Sequence, residues 1–566
     1  MADSDIGTTT KPAPDPPPRN SFVRPNKWWM LGAVSVATFM LLLDVTVVNV
    51  ALPDMQRSLD SSFFDLQWVI DSYALTLAAF LLAAGTLADR LGRRRVFVIG
   101  LGIFALASLT CGLATGTGML NAARAVQGVG GAVMYAVSPA LIANHFQGKQ
   151  RGIAFGISGG VTGLAVALGP LIGGALTTVS WRWIFLLNVP IGFLVMAVML
   201  ARAAESRDPN SKRIDWLGLI VFSVALTMLV FALIRGEAQG WTDPLIVALF
   251  VGAAALLPLF VLIERRTPEP MLDLDLFRNR SFNGLGIATV AANAALNVAI
   301  LLQVLYMQYI LGFSAYGTGV RYLPLTLALF VAAAVAGTFS DRMPARLLVG
   351  IGCVALGLGM LAARDITADS AWTALLPGML LAGFGMGVFN PVRASAAVSL
   401  VPLSRAGMAS GISETFQQGG VALGIAAFGS MAHSRMAHDF SGAIDAAGRL
   451  PAQETAKLTH MVSAGRLTEV AGAVPPEQRA LVAKTANDAF IAGLDLVMRV
   501  GGIVAIVGGL LGFALMRRRD FPDQSADAPE RRTSAYPPTE RHPSGGRRAA
   551  DERTPGHPTE EEEDLP

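Results

Sequence analysis

Residues 85–95 read Gly-Thr-Leu-Ala-Asp-Arg-Leu-Gly-Arg-Arg-Arg and lie between two long apolar runs. Four arginines and an aspartate cannot rest in hydrocarbon, so the stretch forms a tight loop at a membrane surface. Short loops rich in Lys and Arg stay cytoplasmic, which assigns the surface. Part of the pattern returns at 337–346 as Gly-Thr-Phe-Ser-Asp-Arg-Met-Pro-Ala-Arg. Gly85, Thr86, Asp89, Arg90 and Arg94 map onto Gly337, Thr338, Asp341, Arg342 and Arg346 at one constant offset. Such an echo across an apolar chain points to a duplicated membrane bundle of the kind transporters use.

Of 566 residues, 53% are hydrophobic and 15% charged, with a mean hydropathy of +0.51. Soluble domains carry roughly a quarter charged residues, and the apolar stretches here repeatedly reach the ~20 residues of a spanning helix. The net charge of +3 is modest, and the arginines gather at helix ends instead of forming a basic face, so no nucleic-acid partner is expected. Cys111 and Cys353 both fall inside apolar segments, which excludes a disulfide framework, and the histidines are scattered without metal-ligand spacing. No His-Glu-x-x-His, Gly-x-Ser-x-Gly or Walker-type loop occurs, so neither an enzyme nor a cofactor site is expected. A polar, proline-rich start followed by Lys27 and Trp28 reads as an uncleaved signal anchor.

Hydropathy predicts an all-α integral membrane protein with fourteen spans: 29–52, 66–87, 96–115, 118–142, 152–177, 183–201, 214–235, 242–263, 282–307, 316–339, 345–363, 371–397, 407–431 and 488–515. With both termini inside, the cytoplasmic loops collect most of the arginine. The short outer loops hold only Arg57, Arg182, Arg235 and Arg364. The duplicated loop follows the second and the tenth span. The arrangement is therefore 6 + 2 + 6: a six-helix half at 28–201, an inserted hairpin at 214–263 and a second six-helix half at 282–516. Within the latter, 432–486 is expected to be a long outer loop with some helix near 476–487. Residues 1–27 and 517–566 are expected to be disordered cytoplasmic tails.

Asp44 stands about two-thirds of the way through the first span, within Leu-Asp-Val-Thr-Val-Val-Asn-Val-Ala-Leu-Pro at 43–53. A central carboxylate costs on the order of 2.5–3.5 kcal/mol, so it must face a cavity or a partner. It is either a proton carrier or half of a structural ion pair. Arg124, followed by Gln127, Gly128, Gly130 and Gly131, is its natural partner; the alternative is a brace on backbone carbonyls. Glu414 gives the second half an acid of its own. Asp71, Asn293, Asn297, Gln303, Arg393, Gln417, Gln418, Asp495 and Arg499 are further polar residues inside spans. Asp71 is expected near the outer mouth. Asn49, Gln127, Asn293, Asn297 and Gln417 are candidates to line a substrate path, although amides more often join helices. The fifth span reads Gly-Leu-Ala-Val-Ala-Leu-Gly-Pro-Leu-Ile-Gly-Gly at 163–174, where Gly159/Gly163 and Gly169/Gly173 allow close helix approach and Pro170 permits a kink. In the 85–95 loop, Gly85 and Gly92 allow tight packing. Asp89 can hold a neighbouring helix N-terminus or an arginine as a latch.

Taken in order, Leu43–Pro53, Gly85–Arg95, Leu120–Gly131, Gly163–Gly174 and Trp181–Gly192 resemble the signatures of the major facilitator superfamily. The resemblance is to its fourteen-helix drug:proton antiporters of the multidrug and quaternary-ammonium type, and covers roughly 28–516. It implies a plasma-membrane exporter, working as a monomer, that exchanges hydrophobic or amphiphilic drugs or a secondary metabolite for protons. Asp44, Arg124 and Glu414 would carry coupling, and Gly163, Gly169, Pro170, Gly173 and Gly174 the antiport packing. Gly85, Asp89, Arg90, Gly92, Arg93, Arg94, Asp341 and Arg342 would form the inner gate. Pro344 replaces the second loop's counterpart of Gly92, a departure from the full motif. A same-fold carrier that takes up another small metabolite is the alternative.

Overall fold

Helix α1 (Lys27–Leu59) begins under an N-cap, the Asn26 side chain accepting from the Trp28 amide. In this computed structural model, residues 26–61, 63–207, 215–268, 270–340, 342–447, 450–463 and 467–521 are described, and among them the regular elements are all helical. Next come α2 (Phe63–Leu91), α3 (Arg93–Gly112), α4 (Thr117–His145), α5 (Gly148–Thr177), α6 (Trp183–Leu186) and α7 (Asn188–Arg202). A pair follows, α8 (Trp216–Gln239) and α9 (Pro244–Arg266). The remainder comprises α10 (Arg280–Leu305), α11 (Ala315–Phe339), α12 (Ala345–Ala362), α13 (Leu376–Ser399), α14 (Ala406–Gly424), α15 (Ser430–Ala447), α16 (Ala452–Ser463), α17 (Leu467–Val470) and α18 (Pro476–Leu515).

Twelve of the described helical stretches are long and apolar enough to cross a membrane. Neither α5 nor α14 is among the twelve, although α5 is 30 residues long and α14 runs directly into the π turn Ile425–Gly429. The predicted span at 183–201 is divided between α6 and α7. Pro190 has no N–H to give the Leu186 carbonyl, which weakens the helix at that junction. Arg235, assigned to an outer loop from the sequence, lies inside α8 instead and is buried.

Two bundles result from the packing. In one, α2 and α3 lie on α4, α1 on α5 and α7, and α3 on α7; in the other, α11 and α12 lie on α13, and α18 on α10 and α12. The bundles meet along α5–α11 and α2–α14, while α8 and α9 pair with each other and α8 rests on α2. Only 17% of the α9 span is buried against 72% for α4, which places this pair at the periphery.

The expectation of a loop over 432–486 is corrected: the segment is mostly helical. Met436, Phe440 and Ile444 recur every four residues, as do Leu458 and Val462, and all are buried in one cluster with Val482, Leu494 and Val497. The period was hidden among Ala, Gly and polar residues, because three apolar residues in a dozen do not raise mean hydropathy. The last span is likewise longer than expected, since α18 runs unbroken for 40 residues.

Glycines set the approach of the two bundles. A Cβ on Gly85 would overlap the Gly407 carbonyl oxygen, and one on Gly411 would come within 2.8 Å of the Leu81 carbonyl oxygen. The other seam repeats this, with Gly337 against Gly152 and Gly156. The duplicated motif therefore places its leading glycine at a helix crossing in both copies. Gly337→Val should wedge α11 from α5 at a cost of about 1–3 kcal/mol, the usual range for overpacking. In inverted vesicles, a cysteine at Ser340 should then react with an impermeant maleimide roughly 5–100-fold faster, the shift that energy permits. Unchanged labelling would mean that this crossing does not hold the bundles together.

Candidate functional site

The expected loop at 85–95 is corrected to a helix junction: 85–91 end α2, Gly92 makes the turn and Arg93–Arg95 open α3, so its charges lie next to helix termini with unsatisfied groups. The first amides of α14 have no intrahelical acceptor, and the N-cap Arg405 supplies no side-chain acceptor. Asp89 reaches across from α2 and accepts from the amides of Gly407 (2.8 Å) and Met408 (2.9 Å). Arg93, buried, donates its Nε to Asp89 (2.8 Å) and its Nη2 to the carbonyls of Leu403 and Ser404 (2.5 and 3.1 Å). A second acid caps the next helix. Glu205 accepts from the amides of Arg94 (3.0 Å) and Arg95 (3.1 Å) at the start of α3, where Gly92 takes φ = 110° and leaves no room for a side chain beside the Glu205 carboxyl. Arg94 also donates to the Ala203 carbonyl (3.0 Å), and Arg90 to that of Pro270 (3.1 Å).

The second motif copy supplies a glycine crossing at Gly337. Arg342 is exposed, and Asp341 lies outside the described residues. In α5 the crossing residue Gly152 sits a full turn beyond the helix start at Gly148, so the amides there are already committed within the helix. At α14 the crossing and the helix start coincide.

Between the bundles lies a cavity of about 510 Å³, counting the solvent at its open side. It is lined by Thr38, Tyr135, Ser158, Asn390, Arg393, Glu414 and Gln417 among others. Glu414 and Arg393 are both buried and paired, with Nη2 at 3.0 and 3.2 Å from the two carboxylate oxygens. Arg393 also donates Nη1 to Ser413 Oγ (2.6 Å). From the opposite bundle, Tyr135 stands beside Glu414 and accepts from Gln417 Nε2 (2.9 Å). The acid of the second half thus touches a side chain of the first.

Asp44 is elsewhere. It is 3% exposed, absent from the cavity wall and enclosed in the first bundle. Its Oδ2 accepts from Arg124 Nη1, and its Oδ1 from Gln127 Nε2 (3.1 Å) and Asn188 Nδ2 (3.1 Å). Arg124 further donates to Gln127 Oε1 (2.9 Å) and the Val69 carbonyl (3.0 Å), and stacks 4.1 Å over the Tyr73 ring. Asn188 donates onward to Ser108 Oγ (3.0 Å). Both carboxylate oxygens of Asp44 and the Nε and Nη1 groups of Arg124 are thus engaged, the compensation that burial of a charge pair requires. Asn188 and Ser108 escaped the sequence reading of the site, although Asn188 is the lone amide in the quoted Trp181–Gly192 stretch. Ser108 left no comparable signal.

Of the remaining candidates, Gln127 belongs to the Asp44 network and Gln417 to the cavity wall. Asn293 is buried and Asn297 half-buried, each donating to the carbonyl four residues earlier in α10 (2.9 and 3.0 Å). The Asn49 and Pro170 side chains fall outside the described residues. In α5, Gly163 packs on Leu329 of α11 and Gly169 on Thr46 of α1; Gly173 is buried, and Gly174 has open space where a Cβ would stand. Asp71, expected at the solvated mouth, instead faces the buried Arg235 of α8 at 3.5 Å.

The Major Facilitator Superfamily family matches residues 34–425. The multidrug resistance protein Stp of Mycobacterium tuberculosis is 35% identical over 89% of this chain and 94% of that protein. The tetracenomycin C resistance and export protein of Streptomyces glaucescens is 31% identical over the same shares. The puromycin resistance protein pur8 of Streptomyces alboniger is 36% identical over 71% of this chain and 81% of its own. Among solved structures, the human organic anion transporter MFSD10 aligns over 87% of this chain and all of its own at a TM-score of 0.58 and 14% identity, a likeness of fold. This chain belongs to the major facilitator superfamily.

Proposed function

We propose that the protein is a proton-coupled antiporter that exports hydrophobic or amphiphilic drugs, or a secondary metabolite, across the cell membrane by alternating access. The observation that carries this reading is the pair of separate buried acid–arginine sites, Asp44–Arg124 sealed inside one bundle and Glu414–Arg393 in the cavity between bundles. An arginine fixed beside each acid keeps its charge in every state, so the acid is the group that can change protonation during a cycle. The relatives, named for drug resistance and export, support efflux as the direction.

In this reading there are fourteen spans: the twelve apolar ones together with α5 and the α14 stretch. They form two six-helix halves, 28–201 and 282–516, around the 214–263 hairpin. The arginine-bearing end, where Lys27, 90–95, 146–151, 203–206, 270–281 and 403–408 meet through contacts such as Lys27 with Gln150 and Arg405 with Asp273, faces the cytoplasm. The conformer has its inner gate shut at Asp89, Gly85 and Gly337. Asp89 and Arg93 act as the latch, and Gly163 and Gly169 as the antiport packing. Substrate enters the cavity beside Glu414, and the monomer is the working unit.

Two substitutions separate the roles. In proteoliposomes with an imposed pH gradient, Asp44→Asn should abolish gradient-driven accumulation while leaving counterflow of labelled against unlabelled substrate within about threefold. Retained gradient dependence would remove Asp44 from coupling. Asp89→Asn weakens a charge-assisted cap worth about 1–3 kcal/mol. It should raise maleimide reactivity of a cysteine at Ser404 by roughly tenfold in inverted vesicles, the factor that corresponds to about 1.4 kcal/mol. A reactivity equal to that of the parent would mean the cap does not hold the gate.

A further inference from the structure

The segment joining α9 to α10 crosses the α2–α14 seam. On the α2 side, Thr86 Oγ1 donates to the Met271 carbonyl (3.2 Å) and Arg90 to that of Pro270. On the α14 side, Arg405 pairs with Asp273, whose own amide lies 3.4 Å from Met408 Sδ. Met271 and Leu272 are 2% and 5% exposed and pack in one cluster with Leu82 of α2, Met408 and Ile412 of α14, and Phe260 of α9. A strap tied to both sides of the seam must withdraw before α2 and α14 can part.

Beneath the strap is Glu264, in the last turn of α9. It is 3% exposed, and neither carboxyl oxygen has a hydrogen-bond partner among the described residues. The charged groups facing it among those residues are Asp215, at the start of α8, and Arg90 of α2; the strap's Met271 and Leu272 amides turn toward it without completing a hydrogen bond. Asp215 spends Oδ1 on the Gly218 amide (2.8 Å), capping α8. Its Oδ2 is left beside Glu264, since a Cβ on Gly218 would lie 3.0 Å from Glu264 Oε1 and nearer still to Asp215 Oδ2. Two carboxylates in one dry space favour the state in which one holds a proton.

We propose that Glu264 is a proton-binding site that governs the strap. Protonated, it lies neutral under the docked strap and the gate stays shut. When its proton passes to water at that end of the bundle, the carboxylate needs hydration, and the strap lifts away. The docked form binds the proton more tightly than the undocked one. Docking is therefore favoured at low pH and is lost as pH rises through the docked-state value. This inference rests on the transport cycle proposed above only for its purpose, because strap position can be read without any substrate.

The test uses the full-length protein in nanodiscs, with spin labels on cysteines at the exposed positions Leu91 and Arg278; the native Cys111 and Cys353 are buried and do not compete. Between pH 5.5 and 8.5 the Leu91–Arg278 distance of the docked strap should give way to a longer one, the ratio of the two changing by up to roughly tenfold per pH unit, the limit for one proton. Glu264→Gln should stay docked throughout. Asp215→Asn, which keeps the α8 cap but removes the neighbouring charge, should need a lower pH to dock and so guards against an unfolded Glu264→Gln. A pH-independent distance in the parent, or a Glu264→Gln protein that responds as the parent does, would overturn the proposal. A pH-dependent strap in a protein that exports nothing from a compound panel would leave Glu264 standing and remove the exporter reading.

Discussion

The constraint on which the closed bundle depends is that a helix starting inside a protein leaves amides without acceptors. The start of α14 is buried where the two bundles meet, and no residue of its own first turn can cap it. Asp89 satisfies those amides from the other bundle. One carboxylate therefore does what a local cap would do, and makes the cap dependent on how the bundles are arranged. Arg93 completes the arrangement by neutralising Asp89 and binding the carbonyls that precede α14. Parting the bundles would take the partners from all of these groups together, so the contact forms or fails as a unit.

The same low-dielectric logic sorts the charges deeper in the protein. A buried carboxylate is stable only where a cation and hydrogen-bond donors compensate it. At Asp44 these are Arg124 and the amides of Gln127 and Asn188, the latter held in turn by Ser108. At Glu414 they are Arg393, the Tyr135 side chain of the opposite bundle and an open cavity. The first pair is sealed within one bundle, and the second stands where the two bundles and the cavity meet.

How much of this was legible in the sequence follows from how local each cause is. The charge of 85–95 could be read because charge in an apolar chain is costly wherever it falls, whereas its expected loop proved to be a turn at Gly92 alone between α2 and α3. The Asp44–Arg124 pairing was readable for the same reason: two buried charges of opposite sign need each other. Asn188 and Ser108 were not, because neutral polar residues in spans are cheap enough to occur without a site. The 432–486 segment was misread as a loop, since Ala-rich amphipathic helices bury few apolar residues per turn and only packing on α18 makes them visible. Arg235 was assigned to solvent because its partner, Asp71, is more than a hundred and fifty positions away in the chain. Tertiary pairing decided each of these cases.

The peripheral hairpin takes on a different meaning in this light. If α8 and α9 were only an addition to the rim, their contacts would be apolar ones with lipid and with α2. Instead α8 offers a buried arginine to Asp71 of α2, and the chain leaving α9 runs through the α2–α14 seam before α10 begins. A linker between two halves that move against each other can be slack, in which case it is indifferent to their motion, or it can be packed into the joint between them. Here its buried apolar residues, Met271 and Leu272, lie in the joint, and Asp273 is tied to Arg405, next to the first turn of α14. A linker packed in that position adds apolar area to this arrangement of the bundles, and parting α2 from α14 would expose that area again.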